Sequence, residues 1–464
     1  MTTRITDSAF YQHLWGTPEA RELLGEEGRL RGWLEVIVAL ARAQAATGVI
    51  PDAAARLIAE HARPGRLDLG YAAEQTRQTS HSMLGLIRAL QEAMPEQARQ
   101  YVYTGATVQD ITDTATAVAL LRIGGIVWRD LRRIEERLLE LAVVHRTTAM
   151  AGRTHGQPGS PVTFGWKAAS WADEVRRHLD RLREGAPRWL VGQLGGGTGS
   201  LVFYGDQGLV VRARFCAELG LADPGISWLT ARDRFAEFAQ LLALICGTLA
   251  RIGGEVYELQ RPEIGELGEA APAGTVGSIT MPHKHNPESS EHLDTLARLV
   301  RANAAVMTEA VVQQHERDGR GWKAEWVAWP ETCLLATAAL QLAIGLLAGL
   351  TVNAEAMRRN LTAHGGYPVS EQALGLLAPR LGARRAQELL QEAFGAGAGA
   401  PGAAGAGGAG GLTAEQALVN AGLFSPAEAR ELTAQPDTGS CQAMTDLVVE
   451  RAQAARAAEP EVWP

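Results

Sequence analysis

Apolar residues recur along most of this chain at intervals of three and four, the spacing of one face of an α-helix. Over residues 235–259 this spacing is unbroken and predicts a seam that packs against another helix. The seam consists of Phe235, Phe238, Leu242, Ile245, Leu249, Ile252, Val256 and Leu259. A run from Leu120 to Leu141 has nearly the same spacing. Helices of roughly 35 Å, at 1.5 Å per residue, suit a bundle assembled from several subunits better than a compact monomer.

The pattern predicts an all-α protein with three helical domains. Residues 1–105 form the first, with an amphipathic stretch around Trp33, and residues 106–349 form a central bundle of long helices. Residues 350–464 form the third. Within it, residues 395–411 contain only glycine, alanine and proline. Glycine at nearly every second position costs about 1 kcal/mol per residue in a helix, so we expect a flexible insertion there.

Charge and composition exclude some classes of partner. A formal charge of -8 leaves no basic surplus to neutralise phosphates, so nucleic acid is not expected to bind. An acidic chain that binds a small anion needs local positive charge. Only three lysines, Lys167, Lys284 and Lys323, occur among 44 basic residues.

Four cysteines lie far apart and show no metal-ligand spacing, which predicts buried thiols in a reducing compartment. The first residues contain no apolar leader, and no later stretch offers about 20 uninterrupted apolar residues. We therefore expect a cytoplasmic protein that does not bind a membrane.

Residues 277–286, with the sequence GSITMPHKHN, contain the most informative pattern in the chain. A glycine gives the loop freedom to move, and Ser278 follows it directly. Lys284 and Asn286 stand six and eight residues after that serine. A hydroxyl, a fixed cation and an amide donor can therefore converge on one small anion. Each residue alone would be ordinary in a surface loop, but together they predict an anion site that contains a base.

This segment resembles the signature G-S-x-x-M-x-x-K-x-N of the fumarase/aspartase superfamily. The resemblance implies elimination of a group β to a carboxylate with release of fumarate, and it implies that Ser278 is the base. Proton removal beside a carboxylate creates a second negative charge, which must be stabilised where it develops. Lys284 and Asn286 fit that role, and Met281 is the methionine of the signature, predicted here to contact the substrate.

The stretch from Gly152 to Pro158, with the sequence GRTHGQP, is similar to a second conserved segment of that superfamily. The resemblance implies that His155 is a general acid or activates the acid, and that Gln157 contacts the substrate. A histidine suits this role because its pKa lies near neutrality. His155 is therefore the predicted partner of Ser278 on the opposite face of the substrate.

Residues 105–114 resemble the superfamily's G-x-T-S-x-D segment, which binds a substrate carboxylate, and Thr107 is the predicted ligand. Val108 replaces the usual serine, and Tyr103 stands where histidine is frequent. His81 lies in a stretch similar to the T-x-H-D segment of adenylosuccinate lyases. It is predicted either to be a second histidine near the leaving group or to have no role in the site.

Residues 315–326 bear on the branch of the superfamily. Their pattern H-E-R-D…W-x-x-E-W resembles 3-carboxy-cis,cis-muconate cycloisomerases, as do Gln109 and the stretch that begins at Trp228. Glycines and tryptophans replace the phosphate-binding serines of adenylosuccinate lyases, and Arg317 is a predicted substrate contact. Leu229 stands where the cycloisomerases commonly have histidine.

Together these resemblances predict a lyase that removes a substituent from a substituted succinate, preferably by C–N cleavage, to give fumarate, or that runs the reverse addition. The alternatives are a 3-carboxy-cis,cis-muconate cycloisomerase, an adenylosuccinate lyase and an inactive structural tetramer. The family implies a homotetramer with active sites shared between subunits. It also implies a small dicarboxylate substrate and no metal or organic cofactor.

Overall fold

The computed structural model describes residues 3–270, 274–363, 365–395, 412–434 and 437–463. Helices dominate it, in agreement with the all-α prediction. The first group consists of α1 (Pro18–Leu24), α2 (Glu26–Ala46), α3 (Asp52–His61), α4 (Leu69–Thr79), α5 (Leu84–Glu92) and α6 (Glu96–Arg99). Short 3-10 turns lie at Ile5–Asp7, Gln12–Leu14, Pro64–Arg66, Val202–Gln207 and Tyr367–Val369.

Long helices form the centre of the molecule. They are α7 (Val108–Val144), α8 (Phe164–Trp189), α10 (Asp233–Leu259), α11 (Glu288–Glu309) and α12 (Gly319–Ala348), and the shorter α9 (Gly208–Glu218) lies between α8 and α10. Both helices predicted from the apolar spacing are confirmed. At 37 residues, α7 spans about 55 Å. It begins earlier than the periodic run because Asp110 accepts the backbone N–H of Thr107 and fixes the helix start.

One apolar core joins the first helices to the long ones, since buried residues from Ala20 to Met357 form a single cluster. The predicted seam of α10 is buried throughout. Beside the seam, Leu241 and Ala243 are also buried, whereas Leu244 has an exposed fraction of 54%. All four cysteines are free and buried, as predicted.

Three helices, α7, α10 and α12, are long and apolar enough to cross a membrane by length and composition. Each of them contains charged residues, so none is one uninterrupted apolar run. Their most apolar windows are 61%, 67% and 61% buried inside the protein. Packing against one another and against α8 and α11 therefore accounts for much of this apolar surface.

Two small antiparallel sheets lie beyond the helix ends. Strands β1 (Ala149–Thr154) and β2 (Gln157–Thr163) form a hairpin directly after α7, and β3 (Leu267–Gly268) pairs with β4 (Thr351–Val352) after α10 and α12. The sequence analysis assigned no strand to either place.

The last part of the chain contains α13 (Ala354–Thr362), α14 (Ser370–Leu381), α15 (Ala383–Gly395), α16 (Ala414–Asn420), α17 (Pro426–Ala434) and α18 (Cys441–Ala458). A second, smaller apolar core spans Val369 to Leu432, whereas α18 packs back against α8. Except for Gly395, the predicted flexible insertion lies outside the described residues. The proposed domain limits at residues 105 and 349 stay predictions.

Candidate active site

The amino terminus of α7 holds one part of the candidate site. The Asp110 carboxylate there accepts the backbone N–H groups of Thr107, Gly195 and Gly196, each at 2.9 Å. Burial raises the pKa of Asp110 to about 6, although these hydrogen bonds act in the opposite direction. Asp110 therefore ties the glycine-rich segment to the start of α7. Asp110 is the aspartate of the segment at residues 105–114 that resembles G-x-T-S-x-D. No sequence pattern indicated this structural role, because Gly195 and Gly196 lie about 85 positions away.

Gly105 permits the close packing of the turn before α7. Its φ is +72°, and a Cβ atom there would lie 2.4 Å from Phe203 Cδ1 and 2.7 Å from the Tyr204 hydroxyl oxygen. A side chain cannot fit without moving both rings. Tyr204 is itself fixed, since Gln44 Nε2 donates to its hydroxyl at 2.9 Å. The glycine of this motif thus sets the path of the chain into Thr107.

Arg317 brings a positive charge to the same place. It lies between α11 and α12, donates to Thr107 Oγ1 at 2.6 Å, and its guanidinium carbon lies 5.7 Å from the centroid of the Trp322 ring. Burial raises the pKa of the nearby Tyr103, Asp110 adds to the rise and Arg317 opposes it, so its phenol stays protonated as a donor. With the partial positive charge of the helix start, these groups favour an anion. The structure brings the predicted ligands Thr107 and Arg317 together.

His81 and Arg317 line the same cleft, and the wall of this cleft also includes Val108, Trp322 and Lys323. The Nδ1 atom of His81 lies 3.1 Å from the backbone N–H nitrogen of Leu84. In the neutral ring this acceptor role places the proton on Nε2. Lys323 has no ion pair within the ranges that the structure describes, and the sequence motif gave no signal for it as a site residue.

The signature loop closes on itself. Asn286 Nδ2 donates to the Gly277 carbonyl at 2.8 Å, and the Ser278 hydroxyl oxygen accepts the backbone N–H of Met281 at 3.1 Å. A Cβ atom on Gly277 would lie 2.5 Å from the Lys284 carbonyl oxygen, so the closure requires glycine. The Met281 N–H that donates to the Ser278 hydroxyl oxygen is the kind of donor that stabilises a serine alkoxide.

Asn286 braces the loop through its amide, and its predicted contact with substrate stays a prediction. The Lys284 side chain is exposed and makes no ion pair in the described part of the chain, so its charge is available to a substrate. Met281 is also exposed, at 44%.

A two-residue turn presents His155 at the tip of the β1–β2 hairpin. Thr154 pairs with Gln157 across it, and His155 and Gly156 have φ values of +52° and +75°. Positive φ at both positions is typical of a type I′ turn, where a residue other than Gly, Asn or Asp is unusual. The left-handed conformation of His155 is the kind of strain that clusters at functional sites. Both predicted residues, His155 and Gln157, have exposed side chains.

One salt bridge and one helix cap hold the hairpin and the signature loop to the short segment 266–269. Arg153 donates to both carboxylate oxygens of Glu266, at 2.9 and 2.6 Å. Three residues later, Glu269 accepts the backbone N–H groups of Ser289 and Ser290 at 3.0 Å and so caps α11 where the loop ends. The predicted acid and base therefore belong to the same end of the bundle.

The structure thus divides the predicted residues between two ends of the helix bundle. Thr107, Arg317 and His81 lie at the amino terminus of α7. The other end carries His155, Gln157, Met281, Ser278, Lys284 and Asn286. Between them lies the length of α10, 27 residues or about 40 Å.

Residues that indicated the cycloisomerase branch meet in a buried network. The Arg232 guanidinium donates to Asp113 at 2.6 Å and to Glu325 at 2.8 Å, and Trp322 Nε1 donates to Asp113 at 3.2 Å. Arg232 is 1% exposed. Its role is to neutralise two buried carboxylates, since an unpaired buried charge is strongly destabilising. These motif residues hold α7, α10 and α12 together at the cleft.

Comparison with known proteins shows the family to which the chain belongs. A family model described as "Lyase" matches residues 14–302. The chain belongs to this family. It is 41% identical to N-acetyl-S-(2-succino)cysteine lyase of Dickeya dadantii over 84% of this chain and 86% of that protein. It is 42% identical to 3-carboxy-cis,cis-muconate cycloisomerase of Pseudomonas aeruginosa over 80% of this chain and 82% of that protein.

A solved structure extends the similarity to the whole fold. The 3-carboxy-cis,cis-muconate lactonizing enzyme from Pseudomonas putida superimposes with a TM-score of 0.87 at 32% identity, covering 96% of this chain and 99% of that one. The chain is therefore an enzyme of the fumarase/aspartase superfamily, a lyase for a substituted succinate.

Proposed function

We propose that the protein eliminates a thiol from a 2-succino thioether and releases fumarate. The closed signature loop carries the elimination chemistry: the Ser278 hydroxyl oxygen accepts a backbone N–H, and Lys284 in the same loop is exposed and makes no ion pair in the described part of the chain. Relatives named for a 2-succino thioether support sulfur as the leaving atom. The C–N cleavage expected from the sequence stays a prediction that the same assay tests.

In the proposed reaction the Ser278 alkoxide removes the proton from the carbon beside one carboxylate. Lys284 stabilises the doubly charged enediolate that forms. The C–S bond then breaks, its electron pair leaves with sulfur, and the new double bond completes fumarate. A thiol has an ordinary pKa of about 8.5, so sulfur departs as a thiolate with little need of a proton, and His155 supplies one to complete the thiol.

We also propose that each active site draws on different copies of the chain in a homotetramer. The two groups of predicted residues lie about 40 Å apart, along α10. The loop is fixed at residue 269 and at the start of α11, so its middle can reach at most about 30 Å from its anchors. Exposed apolar residues on the central helices, such as Leu244 at 54% and Val327 at 58%, offer surface for partner subunits.

Ultraviolet absorbance of released fumarate tests the leaving group. We expect turnover of N-acetyl-S-(2-succino)cysteine and much slower reaction with adenylosuccinate, since glycines replace the phosphate-binding serines near Arg317. Ser278→Ala is expected to lower kcat at least 1,000-fold, on the order of the loss of an essential nucleophile or base. Thr280→Ala, in the same loop and exposed, is the matched control and should change kcat little.

If only N-substituted succinates of the aspartate type were turned over, the leaving atom would be nitrogen and not sulfur. Consumption of 3-carboxy-cis,cis-muconate alone would favour the cycloisomerase, the second candidate, which the H-E-R-D…W-x-x-E-W pattern and the buried Arg232 network support. No turnover of any member of the panel would favour an inactive structural protein.

A further inference from the structure

The cleft lined by His81 and Arg317 contains cations and no acid. Among the described residues of its wall, Arg317 and Lys323 carry a permanent positive charge, and none is an aspartate or a glutamate. Neither cation forms an ion pair within the described part of the chain. The whole chain, by contrast, has a formal charge of -8. The cleft therefore favours anionic ligands over neutral ones.

Lysine is rare in this protein, and its three occurrences differ in their partners. Lys167 forms a salt bridge with Glu255 at 2.5 Å. Lys284 in the signature loop and Lys323 in the cleft are exposed, and neither has a carboxylate partner among the described residues. An ammonium group without such a partner is available to an anion of a ligand. Both unpaired lysines thus belong to the segments that were predicted to form the site.

The position of Lys323 on α12 places it on the face of the helix that borders the cleft. Trp322, Lys323 and Trp326 lie within about 100° of one another around the helix axis, and all three line the cleft. The two indole rings contact each other, with their centroids 4.8 Å apart. A charge beside these apolar rings is screened less than one in open water. An ion pair at Lys323 is therefore worth more than an ordinary surface pair.

The succinate part of the substrate does not account for Lys323. Thr107 and Arg317 are predicted to bind one of its carboxylates, and Lys284 is proposed to stabilise the other as the enediolate forms. Arg317 is already oriented by its hydrogen bond to Thr107 Oγ1 at 2.6 Å. Three cations therefore serve two carboxylates, and Lys323 is the one without an assigned anion.

We infer that Lys323 determines specificity by binding a third anionic group, carried by the departing part of the substrate. The inference rests on the proposed function and on one site being shared by the two ends of the bundle. It names the substrate class as 2-succino thioethers of thiols that carry a negative charge, whether or not they are acylated. The cleft has a volume of about 540 Å³, which is in the range of sites for small molecules.

The kinetic test compares kcat/KM for the 2-succino thioethers of mercaptoacetate and mercaptoacetamide, which have nearly the same shape and differ by one charge. The wild type should prefer the anionic substrate about tenfold or more, as for a hydrogen bond between charged groups. Lys323→Gln should abolish this preference, Lys323→Arg should retain it, and Lys323→Glu should prefer the thioether of the cationic thiol cysteamine. Arg320→Gln is the matched control and should leave the preference unchanged, because Arg320 lies on the same helix but pairs with Asp318 and does not line the cleft.

Calorimetry with two unreactive ligands separates this inference from the proposed function. Butane-1,2,4-tricarboxylate is a substituted succinate in which CH₂ replaces sulfur and the substituent ends in a carboxylate, whereas 2-propylsuccinate ends in a methyl group. The wild type should bind the tricarboxylate about tenfold more tightly or better, and Lys323→Gln should bind both alike.

The outcomes distinguish the two proposals. Tighter binding of the tricarboxylate that depends on Lys323, without turnover of any thioether, would uphold the third anion site and refute sulfur as the leaving atom. Turnover of both thioethers with no preference for mercaptoacetate would overturn the role of Lys323 and leave the proposed function standing. Equal losses of preference in Lys323→Gln and Arg320→Gln would overturn that role as well.

Discussion

Mixing two inactive variants tests whether the site is shared between subunits. Ser278→Ala removes the predicted base at one end of the bundle. Arg317→Ala removes a predicted substrate contact at the other end, about 40 Å away along α10. Each variant alone should have little activity. If one site takes its signature loop from one copy and its Arg317 from another, mixed tetramers contain sites in which both residues are intact.

The size of the recovery follows from random assembly. In a symmetric tetramer formed from equal amounts of both variants, each contributing copy carries an intact residue half of the time. About a quarter of the sites then carry both, so activity should reach roughly 25% of the wild type. Co-expression with two affinity tags isolates the mixed tetramers, and fumarate release is measured on them.

A matched mixture supplies the control. Ser278→Ala and Lys284→Ala both alter the same loop of ten residues, so no assembly of these two variants contains an intact loop. Activity in this mixture should not exceed that of the single variants. Recovery in the control, or no recovery in the Ser278→Ala and Arg317→Ala mixture, would show that the two ends do not meet across subunits.

Two further substitutions test the local geometry. Asp110→Asn turns an acceptor into a donor that faces backbone N–H groups, and losing two charged hydrogen bonds should lower the apparent free energy of unfolding by about 3 kcal/mol or more, measured by urea denaturation at fixed protein concentration. Asp294→Asn, which alters a half-buried ion pair with Arg298 one helical turn away, should cost under about 1 kcal/mol. Equal effects of the two substitutions would contradict the role of Asp110. Gly277→Ala places a Cβ atom 2.5 Å from the Lys284 carbonyl oxygen, so we expect kcat to fall roughly tenfold or more, as for a misplaced catalytic group, with an unchanged melting temperature. Gly254→Ala, whose Cβ atom meets nothing within 4 Å, is the control. An equal fall of kcat in both variants would contradict a specific role of the closed signature loop in catalysis.

Local patterns were enough for the helices and for the chemistry of single segments. The three-and-four spacing over 235–259 predicted α10 because a buried helical face requires apolar residues at those positions. The signature loop was likewise readable, since its glycine, serine, lysine and asparagine act within ten residues. The hairpin that carries His155 was not, because its strands contain glycine and proline, which are depleted in strands, and its turn depends on a left-handed histidine.

The sequence by itself determined the superfamily, the long helices α7 and α10, and the identity of the predicted base and cation, because each depends on residues close together in the chain. Only the tertiary structure showed that Asp110 binds Gly195 and Gly196, that Arg317 reaches Thr107, and that Val108 and Lys323 line one cleft. These pairs are separated by 85 to more than 200 positions, and packing of α7 against α8 and α12 sets their distances. The same packing keeps the two halves of the predicted site at opposite ends of the bundle, which no local pattern encodes.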